Sequence, residues 1–453
     1  MKVFFIFLLA FLLPVTPSVA EKFTLQQAID RALQQDPRIQ ERKHNVAAAR
    51  ALLKEALGSD DFFIDANAFM GIVPGVEGGL YQNGAKTCVS PCPLRRDVYD
   101  FNDGLSLWTS VQVKLIKPLY TFGKVSNYAE AAQGNVDVKR GDVSLQRNQT
   151  RLDVATAYYG YLAARDTRYL LQDVSKRLDK ALDLVNSWLD SDSGQVKQSD
   201  KFALETGIAT LNRYLAEAQA IENIAMSGLH LLLGVAHDET LELVDRKIRP
   251  LPLPDMDLDE LRDKALTQRP EIDQLKAGLR ARRALVLAKK ADKMPNIYTG
   301  IIASFANATN RDELKNPYVI DPFNHYAATP VLGLKWDWSD GVQSARVARA
   351  QAELDALIAK RSYARIGIPF EVEEQYYQVL AHYRAVEEMR LASRAGRRWM
   401  ISSYSDFEAG FEESTKVIEA FKSYVLAHSE YLKMVNDYNI YVLRLDNVTG
   451  VQH

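Results

Sequence analysis

The feature that most constrains this chain is that it contains itself twice. TLQQAIDRALQQDPRI, residues 24 to 39, returns as DLDELRDKALTQRPEI at residues 257 to 272, with Leu25, Asp30, Ala32, Leu33, Gln35, Pro37 and Ile39 falling on Leu258, Asp263, Ala265, Leu266, Gln268, Pro270 and Ile272. Further on, Ala48, Arg50, Ala51 and Leu52 meet Ala281, Arg283, Ala284 and Leu285 at the same shift of 233 positions. Identities at one fixed offset mark an internal duplication, so the fold must be built from two similar units.

The pattern within a unit is helix, strand, loop, strand, very long helix, turn, helix. In the first copy, helix formers run from Leu25 to about Gly58 behind Thr24, a capping residue. Alternation of period two then predicts strands over about 62–73 and 105–118. From Gly123 to about Asp190 the helical pattern has no proline, which predicts a helix on the order of 100 Å long. After the turn DSDSG a further helix runs from Gln195 to Gly234. The linker RKIRPLPLPDMD, 246–257, closes this copy with three prolines.

The second copy predicts a helix to about Lys293, strands over about 296–306 and 331–338, a long helix from Gly341 to about Tyr404, the turn SDFEAG, and a helix from about Glu412 to Leu445. A shift of 218 sets Gly123, Tyr158 and Tyr159 on Gly341, Tyr376 and Tyr377; a shift of 216 sets Gly194 and Gly234 on Gly410 and Gly450. The expected organisation is residues 1–20 as a signal peptide, 21–245 and 258–453 as the two repeats, and 246–257 as linker.

MKVFFIFLLAFLLPVTPSVA has one cation, an apolar run of roughly ten residues and the small-x-small site Ser18-Val19-Ala20, the signature of an export signal. The expected mature start, Glu21, is not a cysteine and offers no lipid attachment. No later run reaches the roughly 18 apolar residues of a membrane helix, so any membrane crossing has to be made by strands. A formal net charge of −2 without a basic block points away from nucleic acid. Cys88 and Cys92, in a turn-rich segment of an exported chain, are a candidate disulfide; zinc would need two further ligands that no suitably spaced pair supplies. Seven histidines are scattered with no HExxH, no GxSxG and no phosphate loop, so no catalytic residue, metal or cofactor is expected.

Such long helices cannot bury themselves in a compact domain and need a multi-helix bundle. Four strands cannot close a barrel, which needs about eight, and lipid forbids open strand edges. Two copies of the chain would give eight strands and a plugged interior; three would give twelve and an open lumen. Phe62, Phe63, Tyr120, Phe122, Tyr298, Trp336 and Trp338 lie at the helix-proximal strand ends, the place of an interfacial aromatic girdle.

In the duplicated element, the passage KPLYTFGKV with its counterpart DWSDGVQSA, and the Gly-initiated last helix of each half, the mature chain resembles the TolC-like outer membrane efflux proteins. The resemblance implies a mainly α fold with a membrane β part: a homotrimer whose antiparallel α-helical barrel in the periplasm joins a twelve-stranded outer-membrane barrel. It implies a passive exit duct, for efflux or type I secretion, that receives cargo from an inner-membrane transporter through a periplasmic adaptor protein. It also implies a gate where the helical hairpins turn. Counted from Gly194, Ser199 and Asp200 match the family's Thr-Asp pair; counted from Gly410, Phe407 and Glu412 stand where the family has Tyr and Arg. Glu412 beside Asp200 would repel, which leaves Lys197, Lys201 or Lys416 to supply a cation. The family's constricting acids fall on Lys416 and Glu419. The rival reading is a soluble periplasmic coiled-coil scaffold or adaptor, which accounts for the helices but not for alternating strands with rings at one end. The loop 74–104 is an expected cap over the barrel.

Overall fold

A computed structural model describes residues 21–75, 81–82, 93, 104–191, 196–255, 257–313, 321–337 and 339–450. The chain divides into two compact units: one of Met1–Asn45, Lys139–Gln274 and Arg361–His453, the other of Val46–Val138 and Leu275–Lys360. The unit boundaries fall inside helices α2 (Pro37–Gly58), α3 (Lys124–Asp190), α6 (Pro270–Ala291) and α7 (Asp340–Glu408).

The first unit is helical. Besides parts of those four it holds α1 (Leu25–Gln35), α4 (Gln198–Leu233), α5 (Leu258–Gln268) and α8 (Ser414–Thr449). Heptad spacing sets its core. Along α8 the steps of three and four run through Val417, Phe421, Tyr424, His428, Tyr431, Val435, Tyr438, Val442 and Leu445. On α7 every seventh residue from Val372 through Val379, Val386, Ser393 and Met400 to Phe407 is buried. A repeat of 3.5 residues keeps one seam facing a neighbouring helix and gives side-by-side packing of the coiled-coil kind. Gly396 lets α7 approach α8 closely, since a side-chain carbon there would lie 3.2 Å from the Tyr424 Cα.

The sequence predicts one helix from Leu25 to Gly58, and here the fold differs: α1 stops at Gln35 and α2 begins at Pro37. The proline ring disfavours helical geometry in the residue before it, and Asp36 is extended at φ −60, ψ 114. The second copy breaks identically at Arg269, φ −65, ψ 133, before Pro270. Each break is locked to a long helix by charge, with the signs exchanged. Asp36 accepts hydrogen bonds from the Arg38 backbone N at 2.8 Å, from Arg38 Nη2 at 2.9 Å and from Thr150 Oγ1 at 2.6 Å, while Arg38 Nη1 reaches Asp153 at 2.8 Å. In the second copy Arg269 is the buried centre, donating to Glu271 at 3.0 Å and Glu371 at 2.6 Å. Burial alone would raise the Asp36 pKa, but the bonds from Arg38 and Thr150 outweigh it and hold the carboxyl below its ordinary value.

A feature absent from the sequence reading is a parallel pair of three-residue strands, β1 (Glu21–Phe23) on β4 (Leu241–Leu243). The Pro-rich stretch after it is pinned to the helices. Tyr158 donates to Asp245 at 2.6 Å, Asp166 accepts from the Ile248 N at 2.8 Å, and the buried Asn439 amide accepts from the Leu251 N and donates to the Arg249 carbonyl, both at 2.8 Å.

The second unit holds an antiparallel sheet in the order β2 (Phe63–Pro74), β3 (Leu105–Tyr120), β5 (Asn296–Ala308), β6 (His325–Lys335). The central pairing, β3 with β5, joins the two halves of the chain. β6 begins six residues earlier than alternation predicts, because Ala327, Ala328, Thr329 and Pro330 carry no clear period; proline is tolerated there because β6 is an edge strand. Register shifts at Pro118, which has no N–H for the ladder. Cross-strand partners share a face. One face therefore carries Ala66, Val113, Ala303 and Ala328, then Ala68, Val111, Phe305 and Tyr326; the other carries Asp65 and Lys114, then Asn67, Gln112 and Ser304.

Candidate functional site

The hairpin α7–α8 turns at Gly410, whose φ of 79° needs glycine, and closes with the Phe411 N donating to the Asp406 carbonyl at 2.8 Å. α8 then starts at Ser414. In the other hairpin, residues 192–195, with Gly194, lie outside the described residues. α4 starts at Gln198, and Asp200 in its first turn folds back so that Oδ2 accepts the Lys197 N at 2.8 Å.

The remaining carboxylate oxygen decides the site. Ser414 Oγ donates to Asp200 Oδ1 at 2.6 Å, and Ser414 is 1% exposed. Two helix N-termini thus meet at one carboxylate, each favouring its negative charge. Sequence reasoning named Asp200 but missed Ser414, whose only signal is a hydroxyl at the first position of a helix two residues after Glu412.

The other gate candidates sit apart from this bond. Phe407 is buried, edge-on to Trp188 of α3 at 5.3 Å between ring centroids. Ser199 is exposed and Glu412 half-buried. Lys416 pairs with Glu419 at 3.7 Å on the solvent side of α8, and what Lys197 gives Asp200 is its backbone N–H. On the groove side, Phe202, Ala203, Gly207 and Tyr214 of α4 line a cavity with Thr415, Ile418 and Lys422 of α8.

The aromatic candidates divide by register. The Phe62 ring lies under the Lys117 ammonium at 5.0 Å, Tyr120 packs edge-on to Phe122 at 4.6 Å, and Trp336 Nε1 donates to the Lys293 carbonyl at 3.1 Å. Phe63 and Tyr298 fall instead on the face of Asp65 and Lys114, where the Tyr298 ring covers Gly333. Trp338, Cys88, Cys92 and most of the loop 74–104 lie outside the described residues, as does the segment 1–20. Among the described residues no helix is long and apolar enough to cross a membrane, and no group of His, Cys, Asp or Glu side chains is placed to hold a metal ion.

Comparison with known proteins agrees with this geometry. Residues 261–451 match the family model described as outer membrane efflux protein. The fold is similar to that of the Campylobacter jejuni outer membrane channel CmeC, with a TM-score of 0.76 at 12% identity over 97% of this chain and 90% of that one. It is similar to the outer-membrane channel OprN, at 0.75 and 16% over 94% and 90%, and to the open state of the Neisseria gonorrhoeae channel MtrE, at 0.72 and 18% over 94% and 89%. No curated protein matches the sequence.

An antiparallel four-stranded sheet and long helices with heptad seams are the fold this chain shares with those channels. Over residues 261–451 the sequence is similar to the outer membrane efflux protein family.

Proposed function

We propose that the protein is the passive exit duct of a tripartite efflux or type I secretion system. It works as a homotrimer that takes cargo from an inner-membrane transporter through a periplasmic adaptor and holds a gate at its hairpin ends. The observation that carries this reading is the sheet: it has one apolar face, and among the described residues no strand pairs with the outer edges of β2 and β6. An unpaired edge is not tolerated in lipid. Four strands from one chain fall short of closure, and twelve from three chains leave an open lumen. The face of Asp65, Asn67, Gln112 and Ser304 then lines water, and Ala66, Val113 and Phe305 meet lipid.

At the gate, Asp200 and Ser414 tie the two hairpins of one chain together, while Ser199, Phe407, Glu412, Lys416 and Glu419 shape the mouth around them. Nothing in this arrangement consumes energy, so direction comes from the transporter. The test is the native mass of the detergent-extracted particle. A trimer is the expected result; a monomer that stays soluble without detergent would replace the duct with a soluble coiled-coil scaffold.

A further inference from the structure

The helical unit has two separate apolar cores, and what separates them is polar. One cluster includes Val174, Leu204, Met400, Phe407 and Phe421; the other includes Tyr158, Leu229, Val386, Val435 and Tyr438. On every long helix the heptad seam passes from one cluster to the other. In the α7–α8 hairpin that passage is occupied by Ser393 and His428, both at seam positions where the neighbouring turns place Val386 and Met400, and Tyr424 and Tyr431. In the α3–α4 hairpin it is occupied by an Arg168–Glu222 pair, with Glu222 likewise on the seam of α4. A polar residue at one seam position lowers the stability of a coiled coil locally.

The two polar pairs differ in kind. Arg168 and Glu222 form a salt bridge. Ser393 Oγ lies 2.7 Å from His428 Nδ1, and the imidazole is stacked between Tyr424 and Tyr431 at centroid distances of 5.6 and 5.8 Å. Histidine is the side chain whose charge changes in this range. Around His428, α7 presents Arg397 and the linker after β4 supplies Lys247, both cations. The carboxylates nearby are engaged elsewhere or stand behind the rings: Asp173 and Arg177 of α3 face Tyr424, while Glu387, Arg390 and Arg394 of α7 face Tyr431, with Arg390 bonded to Glu387 at 2.6 Å.

We propose that the Ser393–His428 layer is an acid-sensitive weak point of the α7–α8 coiled coil, at which protonation of His428 releases the hairpin end from the rest of the helical unit. Burial first, then Arg397 and Lys247, push the His428 pKa below its ordinary 6.5. The sign follows. The packed hairpin prefers the neutral ring, so its stability is fully present above 6.5 and falls as pH drops below that value, until the packed form itself takes the proton. An imidazolium there adds a third cation beside Arg397 and Lys247 without gaining a carboxylate. That the loosened end widens a mouth rests on the duct reading; the loosening itself does not.

The test is hydrogen exchange across residues 417–435 of the detergent-extracted protein, wild type against His428→Gln, with the ratio of rates taken at each pH to cancel the intrinsic dependence. The ratio should be one at pH 7.5 and rise several-fold by pH 5.5, bounded by about tenfold per pH unit. His428→Phe, which keeps the ring stack, should behave as His428→Gln does should the latter fail to fold. Arg397→Gln should reduce the wild-type response. A ratio that stays flat down to pH 5.5 overturns the weak point. Single-channel conductance on the same samples separates the two ideas: exchange that responds while conductance stays constant leaves the weak point standing and removes the mouth reading.

Discussion

Ser414 gives its hydroxyl proton to Asp200 across 214 residues of sequence, at 2.6 Å, and that one bond ties the start of α8 to the start of α4. A hydrogen bond to a charged acceptor is worth about 1.5 to 3 kcal/mol. Ser414→Ala removes it while leaving the Lys197 N–H bond to Asp200 in place, and the expected outcome is a higher open-state conductance in planar bilayers. Ser414→Thr keeps the hydroxyl and should stay near wild type. Equal conductance in Ser414→Ala and wild type would remove this bond from the gate.

The helix break at Asp36 supplies a second test. Asp36 is buried but its partner Arg38 is 43% exposed, so deleting the carboxylate costs less than the roughly 3 to 5 kcal/mol of a fully buried pair, on the order of 2 kcal/mol; Asp36→Ala should lower the thermal midpoint of the extracted protein and Asp36→Asn by less. Because the native carboxyl titrates below its unfolded value of 3.8, its contribution is complete above that pH and is lost as pH falls through the native value. Wild type should therefore lose stability relative to Asp36→Asn below pH 3.8. Parallel acid melts of the two proteins would argue against the ion cluster as the lock.

Arg168 and Glu222 probe the polar passage of the first hairpin. Glu222→Ala leaves the Arg168 guanidinium with Gln172 at 3.2 Å and the Tyr169 ring at 4.5 Å but no carboxylate of its own, and is expected to destabilise by about 2 kcal/mol, discounted from a fully buried pair. The double change Arg168→Leu with Glu222→Leu fills the same seam with apolar groups and should recover most of the loss. Thermal melts of the single and double variants decide it; a double variant no better than Glu222→Ala would mean the passage is not an interrupted core.

The two faces of the sheet give opposite expectations for the same new charge. Val113→Lys lies on the apolar face, where a lysine costs about 2 to 4 kcal/mol at the bilayer midplane, and should reduce the amount of assembled protein in the outer membrane. Gln112→Lys, one residue away on the opposite face, should assemble normally and change only ion selectivity. If both variants assembled equally, the assignment of faces would be wrong.

The element order was readable because the long helices carry a 3.5-residue period over many turns and β2, β3 and β5 alternate over ten or more residues, whereas β6 does so only from Val331 onward. The breaks at Asp36 and Arg269 were also readable in principle, since Pro37 and Pro270 restrict the preceding residue, but the helical composition on both sides hid them. β1 and β4 are three residues each and form only because Phe23 packs into the core beside Leu241; nothing so short leaves a period. Where the starts of α4 and α8 meet, Asp200 was legible by its distance from a turn glycine, whereas Ser414 was not, since its bond comes from the helix opposite. The girdle candidates were named as a set of rings, but Tyr298 and Phe63 needed the β3–β5 and β2–β3 register before their face could be assigned.

The pairing of β3 with β5 also sets an order of events in time. Hairpins β2–β3 and β5–β6 each join neighbours in sequence, over residues 75–104 and 309–324, but β3 meets β5 only after some 190 further residues have been made, and loop closure over such a separation is slower. Until then the chain holds two amphipathic hairpins, and afterwards a finished sheet whose outer strands still lack neighbours. Exposed edges of that kind invite pairing with the wrong chain. On the trimer reading proposed above, the interval between sheet formation and docking of further copies is the most hazardous stage of this protein's life, and its length depends on how many copies are present at once.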